Sequence, residues 1–222
     1  MAISDPQLHW DTVLRVSPIL YLDRLEPFQP IRVGVNVFDA PGPSPSFDRN
    51  IEFDTSRIGT VIEYAIYYDY DIQHIYDLEH VWVYLDHEGQ VVSAEASFHG
   101  QYFLSLLPDR SNLTEQGQVK LFVQPGKHAM IPIADFFRLL PNVESCCQAD
   151  AGVDGTLEPE MFSGQFKFGN DIDERSEKHL REFSFQPSFD YIPHTWASDA
   201  FVTWTELTKE IPVRMKALLA EL

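Results

Sequence analysis

Acidic and histidine side chains are concentrated in one short stretch of this chain, between Asp69 and His80. Carboxylate oxygens with a single imidazole are ligands that suit Ca²⁺, Mg²⁺ and Mn²⁺. Alternate residues of an extended chain share a face, so Asp77 and Glu79 point the same way. Asp69 and Asp71 form a second such pair. Carboxylates held together must take up a proton, find a basic partner or bind a cation, so the spacing predicts either a divalent-cation site or a set of solvated loop acids.

A glutamate and two further histidines are candidates for catalysis. Glu95 and His99 lie on the polar face of the alternating run at 91–100, and His128 lies in a turn at 125–129. If a bound cation activated a water molecule, His99 or Glu95 would serve as the general base and His128 as an electrophilic helper. A half-buried strand with one wet face explains the alternation equally well.

Short runs of β-branched and aromatic residues, separated by turn signals, must position these side chains. Residues 39–48 carry three prolines and therefore predict a surface loop, because proline cannot donate to a sheet. Residues 87–90 predict a hairpin loop in which Gly89 takes a positive φ. The runs themselves predict strands at 31–38, 61–68, 79–86, 91–98, 119–124 and 162–168.

Helices are expected to be few. Residues 133–140 have helical spacing and are stopped by Pro141, and residues 173–182 predict a short exposed helix. A C-terminal helix is predicted to start after an N-cap at Ser198, with Pro212 interrupting it. Many strands with peripheral helices predict a mainly β fold, a β-sandwich of antiparallel strands in a single domain spanning residues 1–222.

The charge of the chain limits its partners. Thirty-four Asp and Glu against 16 Lys and Arg give a net charge of −18, which repels nucleic-acid phosphates and anionic lipid. No apolar run is long enough for a membrane span, and residues 1–10 do not resemble a signal peptide. Cys146 and Cys147 are adjacent and have no distant partner, so an intrachain disulfide framework is excluded. We therefore expect a cytoplasmic protein in a reducing compartment.

The stretch around the acids resembles a motif of known families. Residues 73–79, Gln-His-Ile-Tyr-Asp-Leu-Glu, are similar to the heptapeptide Gly-His-Arg-His-Asp-Trp-Glu of the necrosis- and ethylene-inducing peptide-like proteins. They also resemble the His…Asp-Trp-Glu-His segment of a plant and fungal family linked to vacuolar protein sorting. His74, Asp77 and Glu79 are the matching positions, and other similar pieces follow in the same order between residues 17 and 132.

The resemblance implies a β-sandwich that binds a divalent cation through Asp, His, Asp and Glu. Carried over, the ligands are His74, Asp77 and Glu79, with Asp71 as the remaining aspartate in preference to Asp69. The toxins of the family recognise sugar headgroups of plant sphingolipids. Shared fold and ligands do not transfer a substrate, and residues 142–222 match nothing in the motif.

Three functions remain open at this point. A binding module would hold a small polar ligand, containing sugar or phosphate, at a Ca²⁺, Mg²⁺ or Mn²⁺ ion, with the loop aromatics Tyr70, Tyr76 and Tyr102 stacking on it. A metal-dependent hydrolase would use a metal-activated water. The third reading is a purely structural cation site. The oligomeric state is left open by the sequence.

Overall fold

A computed structural model describes residues 3–166 and 169–222, and β-strands dominate it. The β-branched and aromatic runs form most of the strands, as their pattern predicts. In chain order the elements are β1 (Ile3–Ser4), α1 (Trp10–Arg15), β2 (Ile19–Asp23), β3 (Arg32–Phe38), β4 (Gly42–Pro43), β5 (Asn50–Ile51), β6 (Thr60–Tyr70), β7 (His74–Leu85), β8 (Val91–Phe98), β9 (Gln101–Leu104), β10 (Lys120–Val123), β11 (Met130–Ile131), α2 (Val143–Cys147), β12 (Gly155–Thr156), α3 (Asn170–Arg181), β13 (Tyr191–Pro193), β14 (Phe201–Thr203) and α4 (Trp204–Glu221). Short 3₁₀ helices occupy Pro6–His9, Ala134–Leu139 and Glu160–Phe162.

Two sheets pack face to face. The larger has the order β1-β3-β6-β7-β8-β9, with β12 added beside β7 and β14 beside β3, and the smaller has the order β11-β10-β2-β13. Most strand pairs are antiparallel, including the hairpins β6–β7, β7–β8 and β8–β9, but β2–β10, β7–β12 and β3–β14 are parallel. These three pairs join distant parts of the chain, where a hairpin cannot dictate direction. The sheets are thus mixed, whereas the sequence predicted antiparallel strands.

The space between the sheets holds the main core. Residues of β2 and β10, such as Leu20 and Leu121, meet Ile62, Tyr64 and Val83 of the larger sheet, and all are buried. Burial on this face stabilises the fold by about 1.5–3 kcal/mol for each large apolar side chain. This packing confirms a mainly β sandwich.

Helix α4 covers the opposite face of β3 and β6. Trp204, Leu207 and Ile211 are buried against Ala65 and Tyr67. Burial on both faces explains why β6 is almost continuously apolar instead of alternating. The outer face near the other end of the sheet is covered by the proline-rich loop, so little of the sheet is left bare there.

The C-terminal helix is confirmed, but two of its predicted details are wrong. It begins at Trp204 and not after Ser198, because Thr203 and Glu206 form a reciprocal capping box. Pro212 lies inside it without ending it. Ile211 and Met215 flank the proline and are both buried, so packing on the sheet outweighs the lost backbone hydrogen bond.

Other helix and strand expectations have mixed outcomes. The segment at 173–182 is helical as part of α3, and the one at 133–140 forms the 3₁₀ helix Ala134–Leu139. The strand predicted at 162–168 is wrong where the structure describes it, because Glu160–Phe162 is a 3₁₀ helix followed by turns. Residues 167 and 168 lie outside the described residues. No helix of the described ranges is long and apolar enough to cross a membrane.

Candidate functional site

The acidic stretch lies where β6 turns into β7. Strand β7 starts at His74, five residues before the predicted start, so Asp77 and Glu79 lie within a strand. The turn is closed by a hydrogen bond from the Asp71 amide to the His74 carbonyl (2.9 Å) and by one from the Gln73 amide to Asp71 Oδ1 (2.6 Å). These bonds fix the Asp71 side chain inside the turn.

Tyr76 interrupts the regular geometry of β7. Its φ of 76° lies in the left-handed region, which costs a non-glycine residue about 1–3 kcal/mol. Its ring packs against Tyr67 and Phe162, with ring centroids 5.9 and 6.2 Å away. Strain held by such packing is typical of functional sites, and here it lies next to Asp77.

Asp71 is buried and has two basic neighbours. The Lys127 ammonium forms an ion pair with Asp71 Oδ2, and His74 Nε2 lies 3.3 Å from the same oxygen. Asp69 instead accepts a hydrogen bond from Arg214 of α4 (Nε to Oδ1, 3.0 Å). Of the two aspartates considered from the sequence, only Asp71 lies beside His74.

Asp77 is paired with His128, which is fully buried. His128 Nδ1 lies 2.9 Å from Asp77 Oδ2, and its ring stacks on Tyr68 with centroids 3.9 Å apart. Burial alone would lower the pKa of His128, but the hydrogen bond to Asp77 and the carboxylate of Glu26, 3.6 Å from Nε2, outweigh it and raise the pKa to about 10. Burial would raise the pKa of Asp77, yet the hydrogen bond and charge of His128 hold it below its usual value.

Glu79 is buried on the same strand, and its hydrogen-bond donor is a hydroxyl group instead of a basic side chain. Ser97 of β8 donates a hydrogen bond to Glu79 Oε2. Burial and the neighbouring charge of Asp77 raise the pKa of Glu79 to about 8. The clustered acids therefore find basic partners at Asp71 and Asp77 and hold a proton at Glu79 at neutral pH.

The turn at residues 125–128 carries Lys127 and His128, the basic side chains that pair with Asp71 and Asp77. Gly126 donates its amide to Glu26 Oε2 (2.6 Å) and accepts a hydrogen bond from the Ile72 amide (2.8 Å). Gly126 has a φ of 72°, and a Cβ there would lie 2.7 Å from Ile72, so only glycine fits. This close fit fixes Lys127 and His128 against the acids.

The donor chemistry suits a hard cation, but the arrangement of the donors does not. Among residues 3–166 and 169–222, no three His, Cys, Asp or Glu side chains lie where they could hold one metal ion. Asp71 and His74 have donor atoms at a separation that two ligands of one ion could have, whereas Asp77 faces His128 and Glu79 faces Ser97. The residues as arranged do not fit the ion that the sequence resemblance implies.

A groove of about 320 Å³ opens beside these acids. Asp77 and His74 contribute to its wall, and His80, which is almost fully buried, lies at its base. Exposed acidic and apolar side chains from two loops form the rim. The lining residues are Ser46, Phe47, Asp48, His74, Tyr76, Asp77, Leu78, His80, Leu157, Pro159, Glu160 and Met161.

A second buried network holds one rim of this groove. Glu63 has no exposed surface and accepts four side-chain hydrogen bonds. Its donors are Ser44 Oγ (2.5 Å), Ser46 Oγ (2.6 Å), Asn36 Nδ2 (2.7 Å) and Trp82 Nε1 (2.7 Å). The carboxylate thereby joins the proline-rich loop to β3 and β7.

The three catalytic candidates are held in different surroundings. Glu95 Oε2 lies 2.8 Å from Arg49 Nη1, and it accepts the Tyr84 hydroxyl at 2.7 Å. His99 is exposed in the β8–β9 hairpin, and its Nε2 lies 2.9 Å from the Gln124 side-chain oxygen. His128 has no solvent access. None of the three lines the groove, so the catalytic role stays a prediction.

Two residues of this site were missed from the sequence. Glu26 lies about 45 residues before the acidic stretch, and Lys127 lies in a turn, where a lysine side chain is usually solvated. The order Glu26, Asp71 and Lys127 in the chain contains no spacing signal, because tertiary packing brings them together. Of the three aromatics expected to stack on a ligand, Tyr76 lines the groove; Tyr70 packs on Phe28, and Tyr102 lies over Arg49.

Fold and site define a mixed β-sandwich protein with a surface groove beside a cluster of buried acids. No protein-family model and no curated protein matches the chain. Solved structures are similar to it. One is described as NLPPya in complex with glucosamine, at 22% identity, covering 59% of this chain and 69% of that one with a TM-score of 0.39. Another is necrosis- and ethylene-inducing protein 2 from the causal agent of cocoa's witches' broom disease, at 18% identity, 72% and 87% coverage and a TM-score of 0.34.

A third similar structure is described as a toxin fold for microbial attack and plant defense, at 19% identity, 59% and 71% coverage and a TM-score of 0.39. The solved structures that the chain matches are thus necrosis- and ethylene-inducing proteins, the family that its motif resembles, and the match is distant.

Proposed function

We propose that the protein binds a small, hydroxyl-rich ligand of the sugar type in the groove beside Asp77. The observation that carries the proposal is the composition of the groove lining. Apolar surfaces of Phe47, Leu157 and Met161 lie in one depression with the polar groups of His74 and Asp77. Sugars present apolar ring faces and hydroxyl edges together, so this mixture is suited to them.

The charge of the groove favours a neutral or cationic ligand over an anionic one. Asp48 and Glu160 stand exposed at the rim, and Asp77 lies in the wall. Among residues 3–166 and 169–222, those that line the groove include no lysine or arginine that could pair with a phosphate. A phosphate group would therefore meet repulsion, whereas an amino group on the sugar would be attracted.

Ligand binding is tested by titrating the isotope-labelled protein with hexoses, aminohexoses and hexose phosphates and following amide chemical shifts. We expect aminohexoses to bind with a Kd of about 1 mM, neutral hexoses more weakly and hexose phosphates not at all. The shifts should map to 46–48, 74–80 and 157–161. A titration in which no sugar shifts these amides contradicts the proposal.

Matched variants test the charge preference. The double variant Asp48→Asn, Glu160→Gln should bind aminohexoses about threefold to tenfold more weakly, because two exposed charges are removed. Its affinity for neutral hexoses should stay the same. Glu144→Gln, an exposed change on α2 outside the groove, is the control and should leave both affinities unchanged.

A divalent cation is a second candidate ligand, favoured by the pairing of Asp71 with His74. We infer that Ca²⁺, Mg²⁺ or Mn²⁺ competes with the Lys127 ammonium for Asp71 and is held by Asp71 and His74. Asp77 and Glu79 would join them only by turning away from His128 and Ser97, the partners that they have in this structure. The ammonium then acts as a built-in competitor, and cation binding in the natural chain is weak.

Removing Lys127 should therefore strengthen cation binding. We expect Lys127→Met to unfold at a lower temperature than the natural chain without added cation, since Asp71 loses its partner. On titration with Ca²⁺, Mg²⁺ or Mn²⁺ its unfolding temperature should rise more steeply. Lys178→Met, an exposed change on α3, is the control. Equal responses of both variants to all three cations would exclude this site.

A further inference from the structure

Two adjacent thiols lie next to the turn that holds the basic side chains. Cys146 and Cys147 are both buried at the end of α2, and their sulfurs are 3.7 Å apart. A disulfide needs a sulfur–sulfur separation of about 2.05 Å, and the Cα atoms of adjacent residues, about 3.8 Å apart, are closer than in most disulfides. Joining the two sulfurs therefore requires the backbone at the end of α2 to leave its helical conformation. Neither thiol lines the groove or forms a hydrogen bond with Asp71, Asp77 or Glu79.

Cys147 makes direct contact with the turn at residues 125–128. Its thiol donates to the Pro125 carbonyl at 3.2 Å. A Cβ placed on Gly126 would lie 2.9 Å from the same sulfur, which shows how closely the thiol packs on the turn. Because this turn carries Lys127 to Asp71 and His128 to Asp77, the position of the sulfur affects the side chains that pair with the two aspartates, and Asp77 lines the groove.

We propose that a small disulfide oxidant joins Cys146 and Cys147 in a vicinal disulfide, and that this bond loosens the turn at 125–128 and weakens its hold on Asp71 and Asp77. The effect on ligand binding rests on the proposed function; bond formation and the loosening of the turn do not. Rotating the Cys147 sulfur toward Cys146 removes the donor from the Pro125 carbonyl. The turn then loses one of the contacts that hold it.

The chemistry is two successive thiol–disulfide exchanges. The Cys146 thiolate attacks one sulfur of oxidised glutathione, and one glutathione leaves as thiolate. The Cys147 thiolate then attacks the Cys146 sulfur of the mixed disulfide and releases the second glutathione. The two cysteines lose two protons and two electrons, and the reagent gains them. The contact with the Cys147 sulfur and the nearby charge of Lys127 hold the pKa of Cys146 below its usual value, in keeping with its role as first nucleophile.

The burial of both thiols sets the pace of the reaction. Cys146 and Cys147 are at most 2% exposed, so the reagent reaches them only after the last turn of α2 opens. Helix α2 is only five residues long, so few backbone hydrogen bonds within the helix oppose this opening. The reaction is therefore expected to be slow in the folded protein and fast in denaturant.

The test combines intact mass with amide exchange on the full chain. After incubation with oxidised glutathione, we expect a monomer lighter by two hydrogens, with the loss located in the peptide that contains Cys146 and Cys147. Hydrogen exchange at the Gly126 amide, which is bonded to Glu26, should become about tenfold faster, the equivalent of one lost hydrogen bond. Reduction with dithiothreitol should reverse both changes.

Two conservative variants distinguish the effect of the disulfide from the effect of losing the hydrogen bond between Cys147 and the Pro125 carbonyl. Cys147→Ala removes the donor without allowing a bridge, so it should speed exchange at Gly126 with no oxidant present. Cys147→Ser keeps a hydroxyl donor and should leave exchange slow under both conditions. Failure of the native chain to lose the hydrogens, while the denatured chain does, overturns the proposal. So does a disulfide that forms without faster exchange at Gly126. Absence of sugar binding by the reduced protein counts against the proposed function alone.

Discussion

Replacing Glu63 by alanine is expected to lower the free energy of unfolding by about 3–5 kcal/mol, the largest single effect that we predict. The carboxylate has no exposed surface and satisfies four donors at once. Alanine leaves those donors buried without an acceptor, and each such group costs about 1–3 kcal/mol unless water reaches it. The proline-rich loop would also lose its attachment to the sheet.

Urea unfolding followed by tryptophan fluorescence measures this effect, since Trp82 is itself one of the donors. Glu63→Gln keeps the shape and one acceptor oxygen, and it should lose about half as much stability. Glu52→Ala removes an exposed glutamate from the same loop region and should change the free energy by less than about 0.5 kcal/mol. A loss below about 1 kcal/mol in Glu63→Ala would show that the network contributes little.

Stability should fall as the pH rises from 6.5 to about 10, and His128 should account for much of the fall. The pKa of His128 is raised from 6.5 to about 10 in the folded chain, so the folded state binds its proton more tightly than the unfolded state. Its contribution is complete below pH 6.5 and is lost as the pH passes through 10. Glu79, with its pKa raised to about 8, adds a loss of the same sign at lower pH.

We expect the free energy of unfolding to drop by at least about 2 kcal/mol over this range in the presence of a chelator. The groups that face His128 are Asp77, Glu26 and Tyr68, and Lys127 precedes it in the turn. His128→Gln keeps a donor for Asp77 but carries no charge. It should be less stable than the natural chain at pH 6, and the difference should shrink by pH 10.

Urea unfolding at several pH values measures both curves. His87→Gln, an exposed change in a hairpin loop, is the matched control and should preserve the slope of the natural chain. If the stability of His128→Gln falls with pH as steeply as that of the natural chain, the charge of His128 does not stabilise the cluster.

Local sequence patterns predicted those strands and helices whose formation depends mainly on residues close to one another in the chain. The strands at 31–38 and 91–98 follow β-branched and alternating runs, and they form nearly where expected. The C-terminal helix also forms, although it starts at Trp204 and continues through Pro212. The prediction of a strand at 162–168 is wrong over residues 162–166. Phe162 and Phe166 pack in the cluster that contains Ala65 and Tyr67, and Phe162 ends a 3₁₀ helix instead of pairing in a sheet.

The site could be predicted only as far as it is local. Asp71, His74 and Asp77 are close in the sequence, and the structure brings them into one region. Glu26 and Lys127 come from segments on either side, and no spacing rule connects them to the motif. The carboxylates were expected to attract an external cation, whereas the folded chain supplies Lys127 and His128 as internal ones.

The pairing of β3 with β14 has a consequence for biosynthesis. One edge of β3 is covered by β1 near its end and by β14 near its beginning, and residues 201–203 leave the ribosome long after residues 32–38. Until then this edge exposes unpaired amides and carbonyls beside an apolar face that α4 later covers. The nascent chain therefore depends on late-arriving segments to close its sheet, and folding is expected to be slow, with exposure to chaperones in the interval.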